Sequence, residues 1–175
     1  NNSPDELSYL WLQLDQNIRK KNSPTLLKNT EGEGAMSNIN DLIKENEVNS
    51  FVSKYLKEKF DGGFNISFVK DESGNHLDYT INMTMMRIDL PKPIKTGEQL
   101  KFSIKWWYNI NNHVENRARS GYEYFPKDDN RLYVIAQFFP RLAVYNDVEG
   151  WQNHQFWGNG EFALNFGDYE VNIKV

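Results

Sequence analysis

Residues 100–108 read LKFSIKWWY, and their alternation decides the fold class. Leu100, Phe102, Ile104, Trp106 and Tyr108 fall on one face of an extended chain, and Lys101, Ser103 and Lys105 on the other. A period of two belongs to a strand with one covered and one wet face; apolar residues of a helix would recur at three and four. Trp106 and Trp107 are adjacent and so lie on opposite faces, which lets at least one indole point outward.

Working outward, the same period recurs. Residues 8–14 (SYLWLQL) put Leu10, Leu12 and Leu14 on one face and Tyr9 and Trp11 on the other. Both faces are apolar, the pattern of an inner strand buried from two sides. Further strands are predicted at 64–70, 77–82 and 84–90, with DESGN at 71–75 as a turn and Pro91 and Pro93 breaking the pattern. Residues 132–138 and 169–175 add two more, the last with Tyr169, Val171, Ile173 and Val175 inward. Between them, 15–37 and 109–130 are polar and read as loops. Over 39–60 the spacing lengthens: Ile39, Leu42, Ile43, Phe51, Val52, Tyr55, Leu56 and Phe60 recur at three and four. That predicts an amphipathic helical insertion, capped by Ser37 or Asn38 and ended by Gly62-Gly63. The expected fold is mainly β: an antiparallel β-sandwich with one helical insertion near residues 39–60, forming a single domain over 1–175.

The segment 132–166 is the least ordinary. It starts as an apolar strand, breaks at Phe139-Pro140, and continues as a loop carrying Tyr145, Trp151, Phe156, Trp157 and Phe162. Loops run over the surface and are ordinarily polar. An apolar one is either tucked against its own domain or covers something else. The reading here is that Phe138, Phe139, Tyr145, Trp151, Phe156 and Trp157 face a neighbouring domain outside this chain. Residues 1–4 form a turn with nothing before it, and the alternation of 169–175 runs to the last residue, so the chain reads as a fragment of a longer multidomain protein.

Composition narrows the chemistry. The 175 residues carry a net charge of −4, and no face-long run of Lys and Arg occurs, which argues against nucleic acid as a partner. There is no cysteine, hence no disulfide or thiolate metal site, and the compartment stays open. No apolar run approaches the roughly 20 residues that span a bilayer. His76, His113 and His154 fit no HExxH pattern, and no metal ligand or catalytic residue is assigned within the chain. Nor is there a Gly-x-Ser-x-Gly elbow for nucleophilic catalysis. What remains is a set of aromatics. Exposed tryptophans on a β-sandwich suit a carbohydrate-binding module, and an apolar patch without converging polar groups would suit a non-catalytic protein-interaction domain.

One resemblance covers nearly the whole chain. NNSPDEL at 1–7 leading into SYLWLQLDQN, FSIKWWY at 102–108, GYEYF at 121–125 and AQFFPR at 136–141 carry it. So do GWQ at 150–152, GEF at 160–162 and GDYEVNIKV at 167–175. Together they resemble the N-terminal domain of bacterial zinc metallopeptidases of the aminopeptidase N, or gluzincin, family. The resemblance implies a saddle-shaped β-sandwich lying against a catalytic domain that holds zinc through HExxH and a downstream Glu. Zinc is therefore expected in the longer protein and no cofactor in this chain. The implied partners are that catalytic domain and a peptide substrate, and a periplasmic or cell-envelope setting is favoured. In the family a Gln-x-Gln or Gln-x-Glu step at a strand end helps hold the substrate's free amine. That position corresponds to Gln137-Phe138-Phe139, so Gln137 keeps the first polar group and Phe139 replaces the second. A phenyl ring cannot accept a hydrogen bond from an ammonium as a carboxylate does, and Glu161 is the residue available to substitute.

Overall fold

A computed structural model describes residues 1–21, 23, 60–114, 120–157 and 167–174. Its secondary structure is almost entirely antiparallel β. The helical insertion expected at 39–60 lies, apart from Phe60, outside the described residues, as does Glu161. The chain groups into two compact units: Asn1–Asp15, Asn65–Trp107 and Phe139–Val175 form the first, Gln16–Phe64 and Tyr108–Phe138 the second.

The first unit is built on β1 (Leu7–Gln13), which runs between β4 (Met85–Ile94) and the short β8 (Arg141–Leu142). The hairpin strand β3 (Tyr79–Asn82) completes a four-stranded sheet. Leu10 faces Ile88 and Leu12 faces Met86 in the β1–β4 ladder, and all four side chains are buried. The other face of β1 is not the second apolar face expected. Tyr9 and Trp11 are only half-buried, opposite Asp89 and Arg87. The Arg87 guanidinium lies 4.1 Å from the centre of the Tyr9 ring and pairs with Asp89 at 2.7 Å, so a charged lid replaces a second layer.

Pro91 and Pro93 do not end their strand, contrary to the sequence reading: β4 continues to Ile94, which pairs with Leu7. The last β3–β4 pair is Tyr79 with Ile88. Beyond it, among the described residues, that side of β4 has no ladder for a proline to interrupt, and such edges are where strands tolerate proline.

A two-stranded ladder of β2 (Asn65–Asp71) and β5 (Phe102–Trp107) forms the second layer. Val69 and Ile104 are partners on its inner face. Leu100 and Phe102 share the walls of a cavity of about 540 Å³ with Leu10, Ile94 and Leu142 of the four-stranded sheet. Two antiparallel layers thus meet across apolar side chains, as in a sandwich. Strands β9 (Tyr145–Asn146) and β10 (Gly150–Trp151) make a small hairpin where the sequence suggested open loop. Asn146 Oδ1 accepts the N–H groups of Val148 and Glu149 at 3.1 and 2.8 Å, and Gly150 takes φ 74°, so turn chemistry closes it.

In the second unit, a 3₁₀ turn (Asp15–Arg19, its first residue belonging to the first unit) presents Asn17, whose Oδ1 accepts the Phe64 N–H at 2.8 Å. Phe64 is buried and meets Tyr108 edge-on, ring centres 5.3 Å apart. The hairpin of β6 (Ser120–Phe125) and β7 (Asn130–Ile135) overturns part of the loop read over 109–130. Ser120, Gly121 and Glu123 dilute the alternation of β6, and pairing with β7 is what defines it. Gly121 is required there: at φ 154° a Cβ would sit 2.9 Å from the Asn111 carbonyl oxygen.

The strand expected at 169–175 does not form over the described residues 167–174. Tyr169 and Ile173, assigned inward by their alternation, are exposed. Alternation makes a strand only where a ladder partner exists, and none pairs with this segment among the described residues.

Candidate functional site

In the second unit the strand β7 ends at Ile135, and Gln137 takes φ 53°, the left-handed region that a β-branched or bulky residue rarely enters. Side chains from two other segments hold this kink. The Ser120 hydroxyl accepts the Ala136 N–H at 3.0 Å and donates to the Ala136 carbonyl at 3.1 Å. The Gln16 amide donates to the carbonyls of Ala136 at 2.6 Å and Gln137 at 3.3 Å. Arg19 in turn donates to Gln16 Oε1 at 2.5 Å, which fixes which end of the buried Gln16 amide faces the kink. The Gln137 carboxamide itself makes no hydrogen bond among the described residues, and the residue is half-buried. A polar group at a strand end is thus held by its backbone while its side chain stays available. Phe138 follows, also half-buried.

The same unit contains Tyr108, whose phenol is pushed up to about 12 by burial, the positive charge of Arg19 pulling the other way. It titrates too high to exchange protons near neutrality.

In the first unit, Phe139 is half-buried and packs edge-on to Tyr169 at 5.5 Å. Pro140 is buried, and Arg141 reaches two residues near the end of β1. It donates to Gln13 Oε1 at 3.1 Å and forms a close ion pair with Asp15, which is 1% exposed. The Gln13 Nε2 and Arg141 Nε atoms are buried without a partner among the described residues.

The remaining aromatics divide by burial. Tyr145 and Trp151 are half-buried, meet edge-on at 5.2 Å and line the cavity. The Tyr145 hydroxyl donates to Asp5 at 2.5 Å, and that bond, then burial, raises its pKa. Phe156 is buried: its N–H donates to the Thr84 hydroxyl at 2.8 Å, which donates to Gln155 at 2.6 Å. Trp157 alone of the group is exposed, at 46%. Large exposed apolar side chains also occur on β7, where Leu132 is 53% and Val134 57% exposed, with Tyr133 between them.

Gln16, Ser120, Asp15 and Arg141 were not assigned a role from sequence, and Arg19 stood out there only as part of the short basic run Arg19-Lys20-Lys21. Gln16 and Asp15 sit in a stretch that reads as a polar loop, and only the fold connects them to residues more than a hundred positions away. Among the described residues no three His, Cys, Asp or Glu side chains converge as a metal would require. No helix among them is long and apolar enough to cross a membrane. Comparison with family models, curated proteins and solved structures found no match for this chain.

Proposed function

We propose that this chain is the N-terminal β-domain of a zinc-dependent, aminopeptidase-like metallopeptidase, packing on the catalytic domain and lining the peptide cleft. The reading rests on the sequence resemblance, and one observation supports it best. Gln137, the residue the resemblance assigns to amine recognition, lies in a kink braced by Gln16 and Ser120, with its own carboxamide uncommitted. A recognition group works best when its backbone is fixed before the ligand arrives. The exposed strip Leu132–Tyr133–Val134 of β7 offers apolar area for a neighbouring domain.

The chain's own part in such an enzyme is to bind and orient. The Gln137 carboxamide oxygen accepts a hydrogen bond from the peptide's terminal ammonium. Phe139 adds no second acceptor: its ring packs on Tyr169. One neutral acceptor in place of two holds the amine less tightly, so discrimination between free and blocked N-termini is expected to be weak. Zinc, held by residues outside this chain, would polarise the scissile carbonyl and activate water.

The test is the complete reading frame and its product. An HExxH with a downstream Glu is expected, together with hydrolysis of leucine p-nitroanilide. Gln137→Ala should raise KM roughly tenfold, the loss of one charge-assisted hydrogen bond, with zinc content unchanged. A frame lacking those ligands, or a Gln137→Ala enzyme with unaltered KM, defeats the reading.

A further inference from the structure

The outward face of the β2–β5 ladder has a chemistry that neither the core nor the metallopeptidase reading uses. On β5 it carries Ser103, Lys105 and Trp107, with Lys101 just before the strand, all exposed, with Trp107 at 55%. On β2 the composition of this face depends on a bulge. Asn65 pairs with Trp107 and Ile66 with Trp106, but Phe68, not Ser67, pairs with Lys105. Without the extra residue, Ser67 and Val69 would face outward. With it, Val69 turns into the core, and Phe68 and Lys70 join the lysines and Trp107. Re-aiming side chains is what bulges do.

The result is a strip of rings and cations. Lys70 Nζ sits 4.9 Å from the centre of the Phe68 ring, and Lys105 and Trp107 have no side-chain partner among the described residues. The charge is locally inverted: the whole chain carries −4, yet this strip has three lysines against Glu72, which pairs with Lys101 at 3.2 Å. The neighbouring carboxylate of Asp71 is turned into its own tight turn, accepting from the Asn75 backbone and side chain at 2.8 and 3.0 Å. Successive outward residues on one strand are about 7 Å apart, so cations, a bare indole and the hydrogen-bonding groups of Asn65 and Ser103 alternate at an open spacing.

We infer that this face is a docking surface for an acidic polysaccharide, a chain of sugar rings bearing uronate carboxylates. Trp107 stacks on a sugar ring, Lys105 and Lys70 pair with carboxylates, and Asn65 and Ser103 meet ring hydroxyls. Duplex nucleic acid fits less well: it carries a charge every 1.7 Å or so, which repels an acidic protein offering only a few spaced lysines. A membrane surface fits less well too, because it rewards an apolar face, and most of the outward residues here are polar or charged. The inference is independent of the metallopeptidase reading.

The experiment is isothermal titration of the 175-residue chain with polygalacturonate at low salt, with neutral dextran, oligo-dT and phosphatidylserine vesicles as competitors for the assignment. Binding to polygalacturonate should weaken as NaCl rises. Trp107→Ala and Lys105→Glu should each weaken it about tenfold. Both residues are exposed, and unchanged melting temperatures check that the variants are folded. Arg131→Glu, the same kind of charge change on the exposed β7, should leave binding as it was. Absence of binding, native-strength binding by either face variant, an equal loss with Arg131→Glu, or tighter binding to oligo-dT, dextran or vesicles would overturn the inference.

Discussion

Replacing Arg141 by Met tests whether the ion pair beneath Pro140 holds the first unit together. Asp15 is 1% exposed, and the Arg141 side chain that faces it is 15% exposed, so neither charge has ready access to water. Removing the guanidinium takes this positive charge away from a buried carboxylate and also deprives Gln13 Oε1 of the Arg141 donor. Breaking one side of a buried pair in this way costs about 3–5 kcal/mol. With a urea m-value of about 2 kcal/mol/M for a chain of this size, the unfolding midpoint should fall by roughly 1.5–2.5 M. The double variant Asp15→Asn/Arg141→Met removes both charges of the pair while keeping the shape of the Asp15 side chain. It should recover to within about 1 kcal/mol of the native chain, because exchanging a complete buried pair for neutral groups is often nearly neutral. Urea unfolding followed by tryptophan fluorescence and by far-ultraviolet circular dichroism supplies both numbers. A single variant whose midpoint moves by less than about 0.5 M, or a double variant no more stable than the single, would refute the reasoning.

Two further expectations follow from backbone and burial. Gly121→Ala should cost about 2 kcal/mol and several degrees of melting temperature, since its Cβ would lie 2.9 Å from a carbonyl oxygen at φ 154°. Gly74→Ala is the control: it shares a positive φ but meets nothing within 4 Å, so it should lose about half as much, and equal losses would show that crowding is not the cause. Burial raises the Tyr108 phenol to about 12, so the folded chain favours the neutral form. The stability this contributes is complete below pH 10 or so and is lost as pH rises toward 12. Ultraviolet titration should find a late-titrating tyrosine that Tyr108→Phe removes, and urea midpoints between pH 9.5 and 11.5 should fall less in that variant.

How much of this was legible in the sequence follows from which interactions are local. The strand at 100–108 was readable because its period of two needs no knowledge of a partner, and Trp107 duly points outward. The turn at 71–75 was readable because Asp71 and Asn75 bond each other across four residues. Readings failed where the partner decided the outcome. Residues 167–174 alternate as well as any strand but have no ladder among the described residues, whereas β6 pairs despite poor alternation. At the candidate site Gln137 came from a resemblance; its bracing by Gln16, Ser120 and Arg19 could not, because those contacts join segments far apart in sequence. The bulge at Ser67 was equally hidden, although it sets which face Phe68, Val69 and Lys70 occupy.

The two exposed surfaces differ in a way that bears on what each is for. On β7, Leu132 and Val134 stand more than half exposed with Tyr133 between them, on a strand that pairs only with β6 among the described residues. An uncovered apolar strand edge in water is an aggregation hazard, and natural proteins blunt such edges with charge, proline or a covering element. Arg131 is the one charge that β7 itself carries, and it lies 4.9 Å over the Tyr124 ring on the partner strand. On the function proposed above, the catalytic domain would cover that edge. The β2–β5 face needs no cover: its lysines and hydroxyls keep it wet, and its one bare indole is a small apolar area. A surface stable in water yet carrying a ring between cations suits a partner that comes and goes. The two assignments thus rest on different chemistry, and loss of one leaves the other standing.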